Sequence, residues 1–496
     1  MAVQRVRRQV LGTMDQKIIS AFKLGTSRLQ GRLINPYQRD GVLWLLNREL
    51  SQRRKGGFLC DEMGLGKTIQ LITMMISNPK PRTLVIVPVS VLSQWESEIK
   101  RFAPHLTVYV HHGNNREMDT DNIPQFDVFL TTYSLMRLSE MEQIVPFRYL
   151  WDRVILDEGH EIRSNKSKTN KNINHLTTEI KWIVTGTPVF NNVKDFVTLC
   201  GWLGIHKQDV QANIKSIRSK YVLRRTKEDV AGFNKRLELP PCEVNNVELD
   251  LNPEEAVLYN TVYTECKNKV HEIIRSGIHN GMKAMLILEC FLRVRQTLTH
   301  PFVYMAGTED PQPWEHGCAK TDYLVNSIVE HKTEHSIVFC QFITEMNIIQ
   351  EKLSEQNIEC FRIDGSVSQE ARVHQINLFR KKPSVLVIQI KAGGVGLNLQ
   401  EATRVYITSP AWNPATELQA IGRAHRTGQT RKVTVERLYY KGSDDIPSIE
   451  ESIMQLQEHK SAVTSEVLND PRILAKYPKQ TKNTMNIKTL SKIFSS

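Results

Sequence analysis

Asp61-Glu62-Met63-Gly64-Leu65-Gly66-Lys67-Thr68 follows a short apolar stretch, GGFLC, and runs directly into IQLITMMI. A glycine-containing turn that feeds a helix presents backbone N–H groups and a helix N-terminus to an anion. In that geometry Lys67 reaches the β- and γ-phosphates of a nucleotide such as ATP, and the Thr68 hydroxyl is placed to ligate Mg²⁺. The general pattern has glycine where this chain has Asp61. A G-K-T triplet also occurs in ordinary strand-turn-helix units, so context has to carry the assignment. Downstream, Val154-Ile155-Leu156 forms an apolar strand ending in Asp157-Glu158-Gly159-His160. Two acids at the carboxyl end of a strand are what magnesium–nucleotide chemistry requires. Asp157 is expected to hold the ion, usually through water, and Glu158 to orient and deprotonate the attacking water. Taken by itself, the same pair would serve as a helix N-cap.

Phosphoryl transfer needs more positive charge on the departing γ-phosphate than one lysine and one ion provide. Gln419-Ala420-Ile421-Gly422-Arg423-Ala424-His425-Arg426 supplies two arginines three residues apart, expected on one face of a helix. Such pairs are more often surface charge; here they are expected to face a cleft as fingers. With the phosphate cradle on one lobe and the arginines on another, hydrolysis would require lobe closure, which is the layout of a motor.

The elements that must position these residues alternate along the chain. Between about residues 55 and 190, the β-branched runs TLVIVPV, FDVFLTTYSL, WDRVILDE and KWIVTGTP are separated by helix-like stretches. HSIVFCQF, CFRIDGSV, SVLVIQIKAGG and RVYITSPAW repeat that rhythm after Phe302. The expected class is therefore α/β, with two parallel-sheet lobes and helical insertions between them. The interval from Val193 to Phe302 reads mostly as helices, with periodic apolar stretches such as MKAMLILECFLRVRQTL. The expected organisation is a basic extension (1–32), a first lobe (33–235), a linker and helical protrusion (236–320), a second lobe (321–460) and a basic tail (461–496). From Pro471 to Ser496 the tail carries six cations and no acid, as a nucleic-acid arm, an import signal or a solvated tail would.

Bulk numbers agree without deciding. A chain of 496 residues holds about three domains, and 65 basic against 53 acidic residues leave 65 − 53 = +12, which favours a polyanionic partner. The eight cysteines lack C-x-x-C pairing, which argues for reduced thiols in an intracellular protein without zinc. No stretch reads as a signal peptide or a membrane span, so a soluble protein is expected.

Eight motifs stand in an order that resembles the SWI/SNF-type ATPases of helicase superfamily two: LINPYQRDGVLWL, DEMGLGKT, LVIVPVSVLSQWESEI, DEGH, TGTPVFNN, YVLRRTKEDV, KAGGVGLNL and WNPATELQAIGRAHRTGQ. The resemblance covers residues 33 to 460 and implies RecA-like lobes. By it, Gln38 contacts adenine, and Asp61 through Thr68 with Gly394 and Gly396 line the nucleotide site. It also implies that His160, Thr185, Thr187 and Gln419 couple hydrolysis to lobe movement, and it carries the arginine roles to Arg423 and Arg426. Ser90, Thr132, Ser366 and Trp412 fall at or near positions that would face DNA, although small polar residues in turns usually act as caps. The implied partner is double-stranded DNA, gripped by its phosphate backbone without base readout. Nucleosomes or other DNA-bound proteins are the implied targets.

DEGH, with Gly159 where alanine is commoner, is similar to the branch containing helicase-like transcription factor. That branch usually carries a zinc RING between the lobes, and the cysteine spacing here excludes one. Gln389-Ile390 replaces a hydroxyl residue common ahead of KAGG, which puts that phosphate contact in question. Reduced to a motor core, the chain looks most like the global transactivator-like proteins of baculoviruses, which implies work in a host nucleus. Two other functions stay open on sequence: a strand-separating helicase, and a DNA-binding regulator without catalysis. Retention of Lys67, Thr68, Asp157, Glu158, Arg423 and Arg426 argues against the latter.

Overall fold

The computed structural model describes residues 15–33, 35–113, 116–137, 144–186, 193–230, 240–390, 397–426, 428–443, 446–457 and 494. These fall into two compact units whose boundary in the chain follows Glu238. Among the described residues the first unit holds a seven-stranded sheet of β1 (Lys55–Leu59), β2 (Thr83–Val87), β3 (Val108–Val110), β4 (Val128–Thr132), β5 (Arg153–Asp157), β6 (Ile180–Val184) and β7 (Val222–Leu223). The order is β3-β4-β2-β5-β6-β1-β7 and each pairing is parallel.

Parallel sheets are covered on both faces, so their strands are apolar throughout instead of alternating. In β2, Leu84 and Ile86 enter one core while Val85 and Val87 enter the other. The helices of this unit include α1 (Gln16–Arg28), α2 (Pro36–Leu50), α3 (Lys67–Ser77) and α4 (Leu92–Phe102). α1 lies in the segment expected to be a basic extension, yet Ile18 and Phe22 belong to the core of the first unit. Gly25 lets it approach α3 closely, since a Cβ there would stand 1.8 Å from Ser77 Oγ. At the end of α2, Glu49 accepts from Arg153 Nε at 2.8 Å, Trp182 Nε1 at 2.8 Å and Asn78 Nδ2 at 2.6 Å, a buried carboxylate with its charge paired and its oxygens satisfied.

The second unit holds, among the described residues, β8 (Cys242–Leu249), β9 (Ser336–Cys340), β10 (Cys360–Ile363), β11 (Val385–Gln389), β12 (Arg404–Ile407) and β13 (Val433–Tyr440). Their order is β10-β11-β9-β12-β13-β8, again with parallel pairings. The interval read mostly as inserted helices thus contributes a strand to each sheet, β7 to the first and β8 to the edge of the second. Its helical part is a hairpin of α5 (Pro253–Arg275) and α6 (Asn280–Thr299), with Tyr259, Tyr263 and Val270 packed in one cluster with Ile287, Phe291 and Val294.

Candidate nucleotide site

β5, β6 and β1 are neighbours in the first sheet and run the same way, so their carboxyl ends open on one edge. β1 leads through Cys60 into the loop 61–66, β5 ends at Asp157, and β6 leads to Thr185 and Gly186. Adjacency of three strand ends is what assembles residues far apart in sequence.

The loop turns on two glycines in the left-handed region, Gly64 (φ 89°) and Gly66 (φ 75°), and α3 begins at Lys67. The first N–H groups of α3 have no partner within the helix and face the loop, as an anion cradle requires. Lys67 Nζ donates to the carbonyls of Asp61 (2.9 Å) and Glu62 (3.4 Å). Gly186 lies against it: a Cβ there would stand 2.9 Å from Lys67 Nζ and 2.5 Å from Met63 Cγ. Gln38 is buried, its Oε1 accepting from Asn35 N at 3.2 Å in the cap of α2. A Cβ on Gly66 would approach Gln38 Nε2 to 2.4 Å. Gly66→Ala is therefore expected to cost about 1–2 kcal/mol for its left-handed backbone and to displace Gln38. Denaturant unfolding with titration of a fluorescent ATP analogue checks this; unchanged stability and affinity would remove Gly66 from the loop's working parts.

Asp157 and Glu158 are held differently. Asp157 Oδ2 accepts from Trp95 Nε1 of α4 at 2.7 Å, Oδ1 from Glu158 N at 3.0 Å, and its carbonyl from Tyr133 Oη at 2.8 Å. Burial, and then the Glu158 carboxylate beside it, push the Asp157 carboxyl above the ordinary range. Burial would raise Glu158 too, but His160, Lys67 and Thr185 together hold it below its ordinary value. Thr185 Oγ1 donates to Glu158 Oε2 at 3.1 Å, and His160 Nδ1 lies 3.2 Å from the same oxygen, close enough for charge but poorly aligned for a hydrogen bond. Glu158 is a non-glycine residue at φ 49°, a sparsely populated conformation kept where surrounding contacts over-determine it. The glycine of DEGH has a local reason, since a Cβ on Gly159 would stand 2.7 Å from Ile183 Cγ2. Two adjacent half-buried acids, one held above its ordinary range, form a donor set that suits Mg²⁺, with Thr68 at the start of α3.

Asp61 departs from expectation. Its carboxylate is fully buried and does not face the loop mouth; Arg225 Nε donates to Oδ1 at 2.9 Å, Arg225 Nη2 also pairs with Oδ2, and Gln70 Nε2 donates to Oδ2 at 3.2 Å. The loop thus uses the Asp61 carbonyl, not its side chain. Arg225 also donates to the Tyr37 carbonyl and, at 2.8 Å, to Gln70 Oε1, and Glu62 N donates to the Arg225 carbonyl at 2.9 Å. One guanidinium therefore ties the loop, α2 and α3 to the strand end after β7. The YVLRRTKEDV motif was the only sequence signal for it; Trp95 lies within the LVIVPVSVLSQWESEI motif and Tyr133 within the FDVFLTTYSL run, but neither was singled out as a site residue.

Other expectations change as well. α7 (Pro414–Ala424) carries Arg423, which is buried, and Gln419, which is half-buried. Arg426 lies beyond the last helical residue, its Nη1 3.4 Å from the Leu397 carbonyl, so the two arginines do not share a helix face. Thr132 ends β4 fully buried, 2.8 Å from Ser134 Oγ, and the exposed hydroxyl there is that of Ser134. Ser366 is exposed, but its hydroxyl donates to Asp364 at 2.6 Å; against burial, Ser366 and Arg362 hold that carboxyl down to about 2, and its charge opposes a phosphate. Trp412 is half-buried and packs edge-on against Phe291, with ring centroids 4.9 Å apart, on the side of the hairpin core. Ser90 stays half-buried in a single turn after β2. Thr187, Gly394 and Gly396 lie outside the described residues.

A parallel sheet whose strand ends bring together a glycine loop with its lysine, an acid pair and a threonine defines a nucleotide-binding core of the helicase-like type. The chain belongs to the SNF2-related domain family: that family's model matches residues 37–208 and 205–303, more than half of the chain, and the helicase conserved C-terminal domain matches 319–428. Similar proteins include the CHD3-type chromatin-remodeling factor CHR7 of Arabidopsis thaliana, 27% identical over 477 residues, which cover 88% of this chain and 38% of that protein. The probable global transactivator of Orgyia pseudotsugata multicapsid polyhedrosis virus is 26% identical over 465 residues, covering 87% of this chain and 91% of that one. The chain thus spans less than half of the plant relative and most of the viral one. The Sulfolobus solfataricus SWI2/SNF2 ATPase core in complex with dsDNA is 27% identical, covers 92% of this chain and 98% of that chain, and superposes with a TM-score of 0.39.

Proposed function

We propose that the chain is a DNA-dependent ATPase that translocates on double-stranded DNA and so displaces or remodels bound proteins, in transcription or genome handling in the nucleus, a host nucleus if the chain is viral. The observation that carries this reading is the convergence of Lys67, Asp157, Glu158 and Thr185 on one edge of the first sheet, in a chain of the SNF2-related family. Lys67 exchanges its loop carbonyls for the β- and γ-phosphates. Glu158, kept ionised by His160, Lys67 and Thr185, accepts the proton of the attacking water. Asp157, oriented by Trp95, and Thr68 would hold Mg²⁺, which when bound offsets phosphate charge. Thr185, bonded to that glutamate, is placed to sense the change when γ-phosphate leaves. Arg423 and Arg426 keep the role expected of them in hydrolysis, and backbone phosphates of the duplex are the proposed DNA contact.

Duplex DNA is expected to stimulate phosphate release well beyond single-stranded DNA or RNA at fixed low salt, and the affinity to fall linearly in log–log terms as salt rises. Displacement of a triplex strand without duplex unwinding would separate a translocase from a strand-separating helicase. Stimulation by single strands or RNA alone would replace the proposal with the helicase, and folded protein without hydrolysis would replace it with a binding-only regulator.

A further inference from the structure

The amino-terminal edge of the first sheet lies opposite the strand ends that carry Lys67 and Asp157, and it holds a cavity of about 650 Å³. Arg48, Arg53, Arg54, Lys55, Lys181 and Lys220 line it, and Glu179 is its one carboxylate, so six cations against one anion leave a net of five positive charges. The cations come from the end of α2 and the turn after it, the starts of β1 and β6, and the end of the helix Ile214–Tyr221. Side chains anchored on separate rigid elements hold their spacing without a ligand.

Some of this charge is structural. Arg48 donates to the carbonyls of Gly56 and Arg54, both at 2.8 Å, and lies 4.4 Å from the centre of the Tyr221 ring. Lys55 pairs with Glu179 at 2.7 Å. Lys181 donates to the Trp202 carbonyl at 3.0 Å, and burial pulls its pKa below the ordinary lysine value. Arg53, Arg54 and Lys220 also line the cavity, Lys220 Nζ lying 5.6 Å from the centre of the Tyr221 ring, and no second carboxylate lines it. Cations gathered around one concavity repel one another, and a low-dielectric wall focuses their field into it. A multivalent anion removes that repulsion.

The shape selects among anions. The volume falls in the range of small-molecule sites, roughly 300–1,000 Å³. Leu203 and Tyr221 are the apolar side chains of the lining, too few to anchor a peptide. A duplex backbone is convex and would ride over the rim. Guanidinium and ammonium groups together match clustered phosphate oxygens. We propose that this cavity is a second anion site, separate from the nucleotide loop, for a compact polyphosphate: a small molecule carrying several linked or clustered phosphate groups. It stands whether or not the motor assignment does.

The test uses the full chain with Lys67→Ala, which weakens phosphate binding at the loop, and inorganic tripolyphosphate as the probe. Calorimetric titration is expected to show one site, weakened at least tenfold when Arg53→Glu and Lys220→Glu are added to that background. Both side chains are exposed, so the fold should hold, and Arg53→Ala with Lys220→Ala should give a smaller loss in the same direction. In the otherwise unaltered chain, the charge reversals should leave hydrolysis without nucleic acid within twofold. Equal tripolyphosphate affinity in both backgrounds would overturn the proposal. So would no tripolyphosphate binding, and if duplex affinity then fell with the charge reversals, the cations would belong to a DNA-backbone contact instead.

Discussion

Glu158→Gln is expected to slow ATP hydrolysis by about 10²- to 10⁴-fold, the contribution of a positioned general base, while nucleotide affinity changes by no more than a few fold. The exchange keeps the shape of the side chain and an oxygen able to accept from Thr185 Oγ1, which stands 3.1 Å from Glu158 Oε2. What it removes is the proton acceptor and a half-buried negative charge. Removing that charge also relieves Asp157, whose carboxyl its neighbour pushes upward. Lys67→Ala should differ in kind, losing nucleotide binding along with hydrolysis. Single-turnover phosphate release measured beside nucleotide affinity separates the two. Glu158→Gln hydrolysing at the unaltered rate would remove this residue from the chemistry, and loss of binding in that variant would make its role structural.

Arg225→Met is expected to destabilise the first unit by about 3–5 kcal/mol, the cost of leaving a buried charge without its partner. Asp61 is fully buried, and Gln70 is its remaining side-chain donor once the guanidinium is gone. Adding Asp61→Leu should recover most of that stability, because a buried ion pair replaced by apolar groups of similar volume is often neutral or better. Nucleotide affinity should not recover with it, since Arg225 also holds Gln70 and the Tyr37 carbonyl beside the loop. Arg225→Lys should fail as well, because a single ammonium cannot span the same partners. Denaturant unfolding and ATP-analogue titration across the single and double variants provide the check. A double variant restored in both measurements would make the pair a stability element with no role in shaping the loop.

The sequence by itself determined the local chemistry and the kind of fold. A glycine turn before an apolar helical run, an acid pair after an apolar strand, and the recurrence of β-branched segments are all set within a few residues, where backbone sterics and apolar spacing decide. Hence the lysine, the acids and the parallel-sheet units were legible. Tertiary structure alone decided which side chains meet across the chain and which of them reach the surface. Asp61 and Arg225 are 164 residues apart, and Trp95 and Asp157 are 62 apart. Strand order, not spacing, brings each pair together. The same holds for the surroundings of Thr132, Ser366 and Trp412, which are a buried strand end, a neighbouring carboxylate and an aromatic partner. Arg426 left the face of Arg423 because the helix ends at Ala424, and the basic cavity exists because strand starts and helix ends converge on the far edge of the sheet. Propensity and periodicity act over one turn or one strand, whereas burial and charge pairing depend on packing between elements, which no short stretch of sequence contains.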